Sequence, residues 1–198
     1  DLQPSTPRQM MLMQALGLPV PSYGHMPLIH GPDGQPLSKR WGEVSIGWYR
    51  EHGFLPEAMV NYLALLGWGH GDDVIMSRDQ LIAWFDVADV GASPARFDLE
   101  KLTWVNGEYI RALSDSELAA RLTPFLARAK LVEDPPSEAE AVLVAAVASL
   151  VKTRIERLDQ AAALVAGIFR EVAPEPAVVA KVLGQPFVGD LLGRGSAA

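Results

Sequence analysis

Helix-start and helix-stop residues recur along this chain, with short connectors between them. Ser77 with Gln80, and Ser114 with Glu117, form capping boxes, in which side chains satisfy the backbone groups of a helix start. Apolar periodicity between these signals and the glycines that follow it predicts helices at 6–16, 45–52, 56–66, 77–85, 98–107, 114–129, 137–158 and 160–171, and a short one ending at residue 184. The apolar stretch 23–29 is predicted as a short buried strand.

Composition excludes several classes of protein and of site. The absence of cysteine excludes a disulfide scaffold, a thiolate zinc site and iron–sulfur ligation. The four histidines lack the spacing of three or four residues that pairs ligands on a helix, so no metal site is expected. A net charge of −7 excludes nucleic-acid binding by bulk charge but leaves room for a local basic face. No apolar run has the length of a membrane span.

Residue usage changes near Ser114. All five tryptophans precede it, whereas the part that follows is rich in alanine with helical periodicity. A shift of this kind indicates a domain boundary close to Ser114.

The segment Leu37-Ser38-Lys39-Arg40 follows the predicted strand and a turn rich in glycine, proline and aspartate at 30–34. A lysine between a hydroxyl and a second cation, in a loop closed by Gly42, suits phosphate binding. On these residues alone, a solvated basic loop is the favoured interpretation of the pattern.

The surrounding sequence resembles a known family. Residues 36–40 are similar to the KMSKS-type signature of class I aminoacyl-tRNA synthetases, in the form typical of bacterial glutamyl-tRNA synthetases. Further matching segments occur in the family's order: 6–9 with 15–17, 25–29, 54–58 with 61–68, 93–102, and then Trp104, Asn106-Gly107 and Ile110. The resemblance covers about residues 1–112 and is weaker beyond them.

The resemblance implies a fold, a reaction and a division of the chain. Residues 1–42 would end a Rossmann-type nucleotide-binding domain, 43–112 would form a helical segment that contacts the tRNA stem, and 113–198 would form an incomplete helical anticodon-binding domain. The expected fold class is therefore mainly α. The implied reaction joins glutamate to its tRNA through a glutamyl-adenylate, using ATP and Mg²⁺ but no zinc. The implied setting is a cytoplasmic monomer without membrane contact.

The resemblance also implies roles for particular residues. Lys39 would act catalytically on the phosphates of ATP, with Ser38 and Arg40 beside it in the nucleotide site. The backbone around Leu28 and Ile29 would border the adenine ring.

A second candidate site is the basic cluster Lys152, Arg154 and Arg157, which falls where the family has an arginine-bearing helix of its anticodon-binding bundle. On the predicted helix 137–158, Arg154 and Arg157 share a face, which suits contact with tRNA. The alternative is a solvated helix face, on which these cations form ion pairs with Glu156 and Asp159.

Two departures from the family pattern keep a second interpretation open. Pro36 replaces the first lysine of the signature, and Trp41 replaces the histidine that usually follows it. Together with the acidic net charge, they are compatible with a non-catalytic tRNA-binding paralogue. The segment that carries the family's HIGH-type signature is not in the sequence, so we expect the C-terminal portion of a synthetase, without a complete active site of its own.

Overall fold

The computed structural model describes residues 2–37 and 45–170, and within these ranges the chain is mainly helical with no β-sheet. The helices are α1 (Thr6–Ala15), α2 (Ile46–Glu51), α3 (Pro56–Leu65), α4 (Arg78–Trp84), α5 (Leu99–Ala112), α6 (Asp115–Arg128), α7 (Glu138–Val151) and α8 (Ala161–Phe169). Three 3₁₀ turns lie at Gln3–Ser5, Val87–Asp89 and Leu158–Gln160. None of the helices described is both long and apolar enough to cross a membrane.

Serine caps fix the starts of four of the eight described α-helices. Ser77 and Ser114 form the two predicted capping boxes, and Ser137 forms a third with Glu140. The hydrogen bond from the Ser114 hydroxyl holds the pKa of Glu117 below its usual range. The helices predicted at 6–16, 45–52, 56–66, 77–85 and 114–129 are confirmed to within one or two residues at each end.

Helix α5 is longer than predicted, because Gly107 does not end it. An added Cβ on Gly107 would lie 3.1 Å from atoms of Arg111 and Glu156, so the glycine permits close packing inside the helix. The helix continues to Ala112.

The strand predicted at 23–29 is wrong. A strand needs a partner for its backbone groups, and in this part of the described chain only single bridges form, from His30 to Pro36 and to Arg96. Most of residues 23–29 are also exposed rather than buried. The sheet expected from a Rossmann-type end is therefore absent from the described residues, while the mainly α class is confirmed.

The predicted long helix 137–158 is also wrong, since α7 ends at Val151. After Val151 the chain turns, which brings both Ile155 and Leu158 into the core. The backbone N–H of Leu158 then donates to the carbonyl of Gly53 at 3.1 Å. The restart predicted at 160–171 corresponds to α8, whereas the helix predicted to end at residue 184 lies outside the described residues.

The main core is shared by the helices on both sides of Ser114. Leu55, Val105 and Ile110 belong to the same buried cluster as Leu122 and Val147. Two smaller clusters flank it, one around Tyr62 and Phe54 and the other around Trp68 and Met76. The packing of α3 and α5 against α6 and α7 therefore fixes the positions of the loops between them.

Candidate functional site

The described chain reaches the Leu-Ser-Lys-Arg segment through a tight turn. The N–H of Leu37 donates to the carbonyl of Ile29 at 2.9 Å, which closes residues 29–37 into a loop. Inside it, the N–H of Gly31 donates to the Gln35 carbonyl, and the Asp33 carboxylate accepts from the N–H of Gln35 at 3.0 Å. The predicted turn chemistry at 30–34 is confirmed.

Backbone hydrogen bonds tie this turn to the segment before α5. The N–H of His30 donates to the carbonyl of Ala95 at 2.9 Å, and the N–H of Phe97 donates to the carbonyl of His30 at 2.8 Å. The next residue, Asp98, caps α5 and donates its own N–H to the hydroxyl of Tyr62 on α3. Burial raises the pKa of that Tyr62 hydroxyl, which keeps it neutral as a hydrogen-bonding group. The turn is thus attached to both α3 and α5.

The predicted nucleotide-site residues divide into two groups. Ile29 and Leu28 lie at the start of the turn, and the backbone of Ile29 is paired with that of Leu37. Ser38, Lys39 and Arg40 themselves lie outside the described residues. Beyond the loop, the hydroxyl of Ser45 accepts from the N–H of Trp48 and caps α2.

An apolar cavity of about 440 Å³ lies beside Ile29. The side chains around it come from the 26–29 segment, the end of α3, the aromatic residues after it and Ala95. The indole of Trp68 is buried in its wall, and Ile29 is half-buried.

The basic cluster has a different geometry from the one predicted. Lys152 caps the end of α7, and Arg154 and Arg157 lie in the turn after it, so the shared helix face predicted for the two arginines is wrong. The Lys152 ammonium lies 3.1 Å from the Asp115 carboxylate, and the Arg157 guanidinium lies 3.2 Å from Asp159. Arg154 is exposed, and within the described residues its side chain makes no hydrogen bond or ion pair. Of the three cations, Arg154 is therefore the one with its charge uncompensated by a neighbouring carboxylate.

The amide of Asn106 holds this turn against the rest of the protein. Its oxygen accepts from the N–H of Leu55 at 2.7 Å, and its NH₂ group donates to the carbonyl of Glu156 at 2.5 Å. The same NH₂ group lies 3.4 Å from the carbonyl of Gly53. Three backbone groups from two separate segments, at 53–55 and at 156, thus meet on one fully buried side chain. In the sequence, Asn106 stands out only as part of the match to the family pattern.

Spacing alone contained a signal for this role. Asn106 lies four residues from both Leu102 and Ile110, which are fully buried, so a polar amide stands on the core-facing side of α5. A polar side chain in such a position must find partners inside the protein.

The described residues offer no clear metal centre. Within 2–37 and 45–170, no three His, Asp or Glu side chains come together in a way that could hold an ion. We therefore assign no Mg²⁺ ligand to these ranges and derive no step through the metal.

Comparison with known proteins places the chain in a family. Residues 1–104 match the family described as tRNA synthetases class I (E and Q), catalytic domain. The chain therefore belongs to the class I tRNA synthetases of the glutamate and glutamine type.

The relatives of this chain indicate a narrower group of enzymes than the family model does. A glutamate–tRNA ligase of Bordetella petrii is 45% identical over 177 residues, which are 89% of this chain and 37% of the relative. A glutamate–tRNA ligase of Nitrosomonas europaea is 45% identical over 170 residues, covering 86% of this chain and 36% of the relative. The chain thus spans little more than a third of the length of these relatives.

Solved structures agree with the sequence relatives. A glutamate tRNA ligase from Elizabethkingia meningosepticum, crystallised in complex with its amino acid, superposes with a TM-score of 0.73 at 29% identity. The match covers 98% of this chain and 41% of that structure. A glutamate–tRNA synthetase from Elizabethkingia anophelis gives a TM-score of 0.69 at 30% identity, over 88% of this chain and 37% of that one.

Proposed function

We propose that this chain supplies the ATP-closing segment and the tRNA-contacting helices of a glutamate–tRNA ligase. The observation that carries the proposal is the 45% identity to such ligases over 89% of the chain. The enzyme would activate glutamate with ATP and transfer it from the adenylate to its tRNA, in the cytoplasm and as a monomer. The paralogue without catalytic activity has no observation in its favour beyond Pro36, Trp41 and the acidic net charge.

In this proposal Lys39 carries the charge that acts on ATP. Adenylate formation builds negative charge on the phosphates in the transition state, and an ammonium held against them stabilises that charge. Ser38 and Arg40 add donors on either side of Lys39. Support comes from the turn at 29–37, because its hydrogen bonds hold Leu37, the residue before Ser38, beside Ile29.

Leu28 and Ile29 are proposed to border the adenine ring. Their position next to Leu37 supports this role, since a nucleotide whose phosphates met Lys39 would extend along the same turn. The metal ion that accompanies ATP would supply further positive charge on the phosphates when bound.

The turn after α7 is proposed to contact tRNA chiefly through Arg154. Its charge is exposed and free of a carboxylate partner, so a phosphate or a base edge could bind it without breaking an existing ion pair. Lys152 and Arg157 already have carboxylate partners, and we assign them a weaker, screened contribution to RNA binding. Residues 1–42, 43–112 and 113–198 remain our proposed division into nucleotide, stem and anticodon segments.

The test is glutamate-dependent ATP–pyrophosphate exchange in the presence of glutamate tRNA, measured on the protein produced from its complete gene. Lys39→Ala should lower the exchange rate by about 10²–10³, as expected for the loss of one transition-state charge contact. Lys101→Ala is the matched control, since Lys101 is an exposed lysine on α5 whose side chain has no partner within the described residues. Absence of exchange in the wild type would overturn the function, and a Lys39→Ala rate within a factor of about two would overturn the role of the residue.

A further inference from the structure

A groove of about 590 Å³ lies between α2, the start of α3 and α6. Its floor is apolar and is made by Phe54, Leu55, Pro56, Phe125 and Leu158. Three arginines line it: Arg50 from α2, with Arg121 and Arg128 from α6. No role has been assigned above to this combination of apolar floor and cationic rim.

The three arginines differ in how their charge is compensated. Arg121 donates two hydrogen bonds to the Glu57 carboxylate, at 2.9 and 2.7 Å, so its charge is matched within the protein. Arg128 instead donates to the backbone carbonyl of Glu51 at 2.7 Å, and its guanidinium lies 4.9 Å from the centre of the Phe125 ring. A carbonyl and an aromatic face orient the guanidinium without neutralising it. Arg128 is therefore held in place and still carries its full charge.

Arg50 is the second uncompensated cation of the groove. It lies in the last turn of α2, is exposed, and its side chain forms no hydrogen bond or ion pair within the described residues. Two unmatched guanidinium groups in a chain of net charge −7 mark a local site for an anion. The exposed carboxylate of Glu51 also lines the groove, and its side chain makes no hydrogen bond or ion pair within the described residues.

The groove adjoins the end of the 153–158 turn, whose beginning bears Arg154. Leu158 belongs to the groove floor, and the Arg157 guanidinium lies 6.0 Å from the centre of the Phe54 ring, which forms the same floor. A ligand that follows the 153–158 turn would thus reach the groove without leaving the surface. Phosphates suit the guanidinium groups, while sugar or base faces suit the aromatic floor, and both belong to RNA.

We propose that this groove binds the sugar–phosphate backbone of tRNA, with Arg50 and Arg128 each contacting a phosphate and a ribose or base packing on Phe54 and Phe125. The inference rests on the proposed function, since it takes tRNA as the partner. It adds a contact surface between the stem and anticodon segments, distinct from the Arg154 turn. Arg121 stays paired with Glu57 and shapes the wall of the groove.

The test measures binding of glutamate tRNA to the protein produced from its complete gene, by filter binding at several salt concentrations. The double variant Arg50→Gln with Arg128→Gln should weaken binding about tenfold or more at 0.1 M salt, the loss expected for charge-assisted hydrogen bonds. Removal of two phosphate contacts should also reduce the magnitude of the slope of log K for tRNA binding against log salt concentration by about 1.4–1.8. The control variant Arg8→Gln removes one exposed cation from α1, outside the lining of the groove, and should leave the slope unchanged.

The outcomes separate the inference from the function it rests on. A wild-type chain that fails to bind tRNA overturns both, whereas a wild-type chain that binds while the groove variant keeps its affinity and slope overturns the groove alone. Retained tRNA binding with lost binding of a poly-glutamate peptide would also overturn it and indicate an acidic protein partner. If the double variant does not fold, the single variant Arg50→Gln is measured instead. Arg50 is exposed and its side chain makes no hydrogen bond or ion pair within the described residues, so its loss should not affect folding. Half of the change in salt slope is then expected.

Discussion

The two described parts of this chain differ sharply in how much they bury. Within residues 2–37, Thr6 and Gly31 are the only buried residues, while Met11 and Leu12 of α1 and its C-cap Leu16 are each more than 60% exposed. Residues 45–170 contain three buried apolar clusters and two fully buried asparagines, each with its hydrogen bonds satisfied. The first part is held to the second through the turn at His30 and through the apolar side chains around the cavity beside Ile29.

The difference indicates where stability resides. Burial of apolar area is the main favourable term in folding, and buried polar groups must be paired. Residues 45–170 meet both conditions, and their interior bonds join distant segments at single side chains such as Asn106. Residues 2–37 carry helical sequence and turn chemistry but little buried area, so their conformation depends on local bonds. Substitutions in the two parts should therefore lower the free energy of unfolding by very different amounts.

Among changes to the backbone, the largest effect is expected at Gly53, where three segments of the packed part meet. Its φ of +76° is disfavoured for residues with a side chain, and an added Cβ would lie 2.5 Å from the backbone nitrogen of Leu158. Gly53→Ala should lower the free energy of unfolding by about 3 kcal/mol, combining the left-handed backbone cost with overpacking. The measurement is urea unfolding followed by circular dichroism.

Gly71→Ala is the matched control for Gly53→Ala. Gly71 also has a positive φ, of +56°, but nothing lies within 4 Å of its added Cβ. Only the backbone cost of about 1 kcal/mol should then remain. Equal losses in the two variants would show that the close approach of the 158 segment to Gly53 contributes nothing.

The sequence predicted the packed part well where the information is local. Serine caps at Ser77 and Ser114 set helix starts because the hydroxyl satisfies the backbone at that point, whatever the tertiary fold. Past Val151 the information is not local. Val151, Ile155 and Leu158 follow the spacing of a helix face, yet the chain turns there and Leu158 bonds to Gly53, about a hundred positions away. Apolar periodicity carries no information about a hydrogen-bond partner that lies so far away in the sequence.

The candidate sites show the same division. The turn at 30–34 follows from its glycines, proline and aspartate, and the position of Leu28 and Ile29 beside Leu37 follows from that turn. The predicted geometry of Arg154 and Arg157 was wrong because it assumed that α7 continues past Val151. The groove arginines depend on helices meeting in space, and no single segment contains the evidence for them. The spacing along α5 indicates that Asn106 is buried, but its hydrogen-bond partners belong to other segments. The roles of Ser38, Lys39 and Arg40 stay predictions.

A smaller, pH-dependent effect is expected on the surface of the packed part, at the ion pair of Glu57 with Arg121. The hydrogen bonds from the guanidinium hold the pKa of Glu57 below its usual range in the folded protein. The pair therefore adds stability at pH values above the ordinary pKa of glutamate, and this stability is lost as the pH falls through the lowered value. At pH 7 Glu57→Gln should cost less than about 1 kcal/mol, because both side chains are partly exposed.

The check is a comparison of urea midpoints for wild type and Glu57→Gln at pH 7 and at about pH 3. The gap between the two proteins should shrink on acidification, since the wild-type carboxyl becomes neutral as well. Glu133→Gln, at an exposed glutamate outside the helices, should show a negligible gap at either pH. A gap that stays constant between the two pH values would contradict the charge-based role of Glu57.

The smallest effect is expected at Leu12 on α1, which is 61% exposed. Truncation of an exposed leucine removes little buried area, so Leu12→Ala should change the free energy of unfolding of the 198-residue chain by no more than about 0.5 kcal/mol. Leu122→Ala is the matched change in the packed part, where the side chain is fully buried, and it should cost about 2–5 kcal/mol through lost burial and the cavity left behind. Urea unfolding of both variants measures the contrast directly. A loss above about 1 kcal/mol for Leu12→Ala would mean that the apolar face of α1 is covered in solution. It would contradict the conclusion that residues 2–37 bury much less apolar surface than residues 45–170.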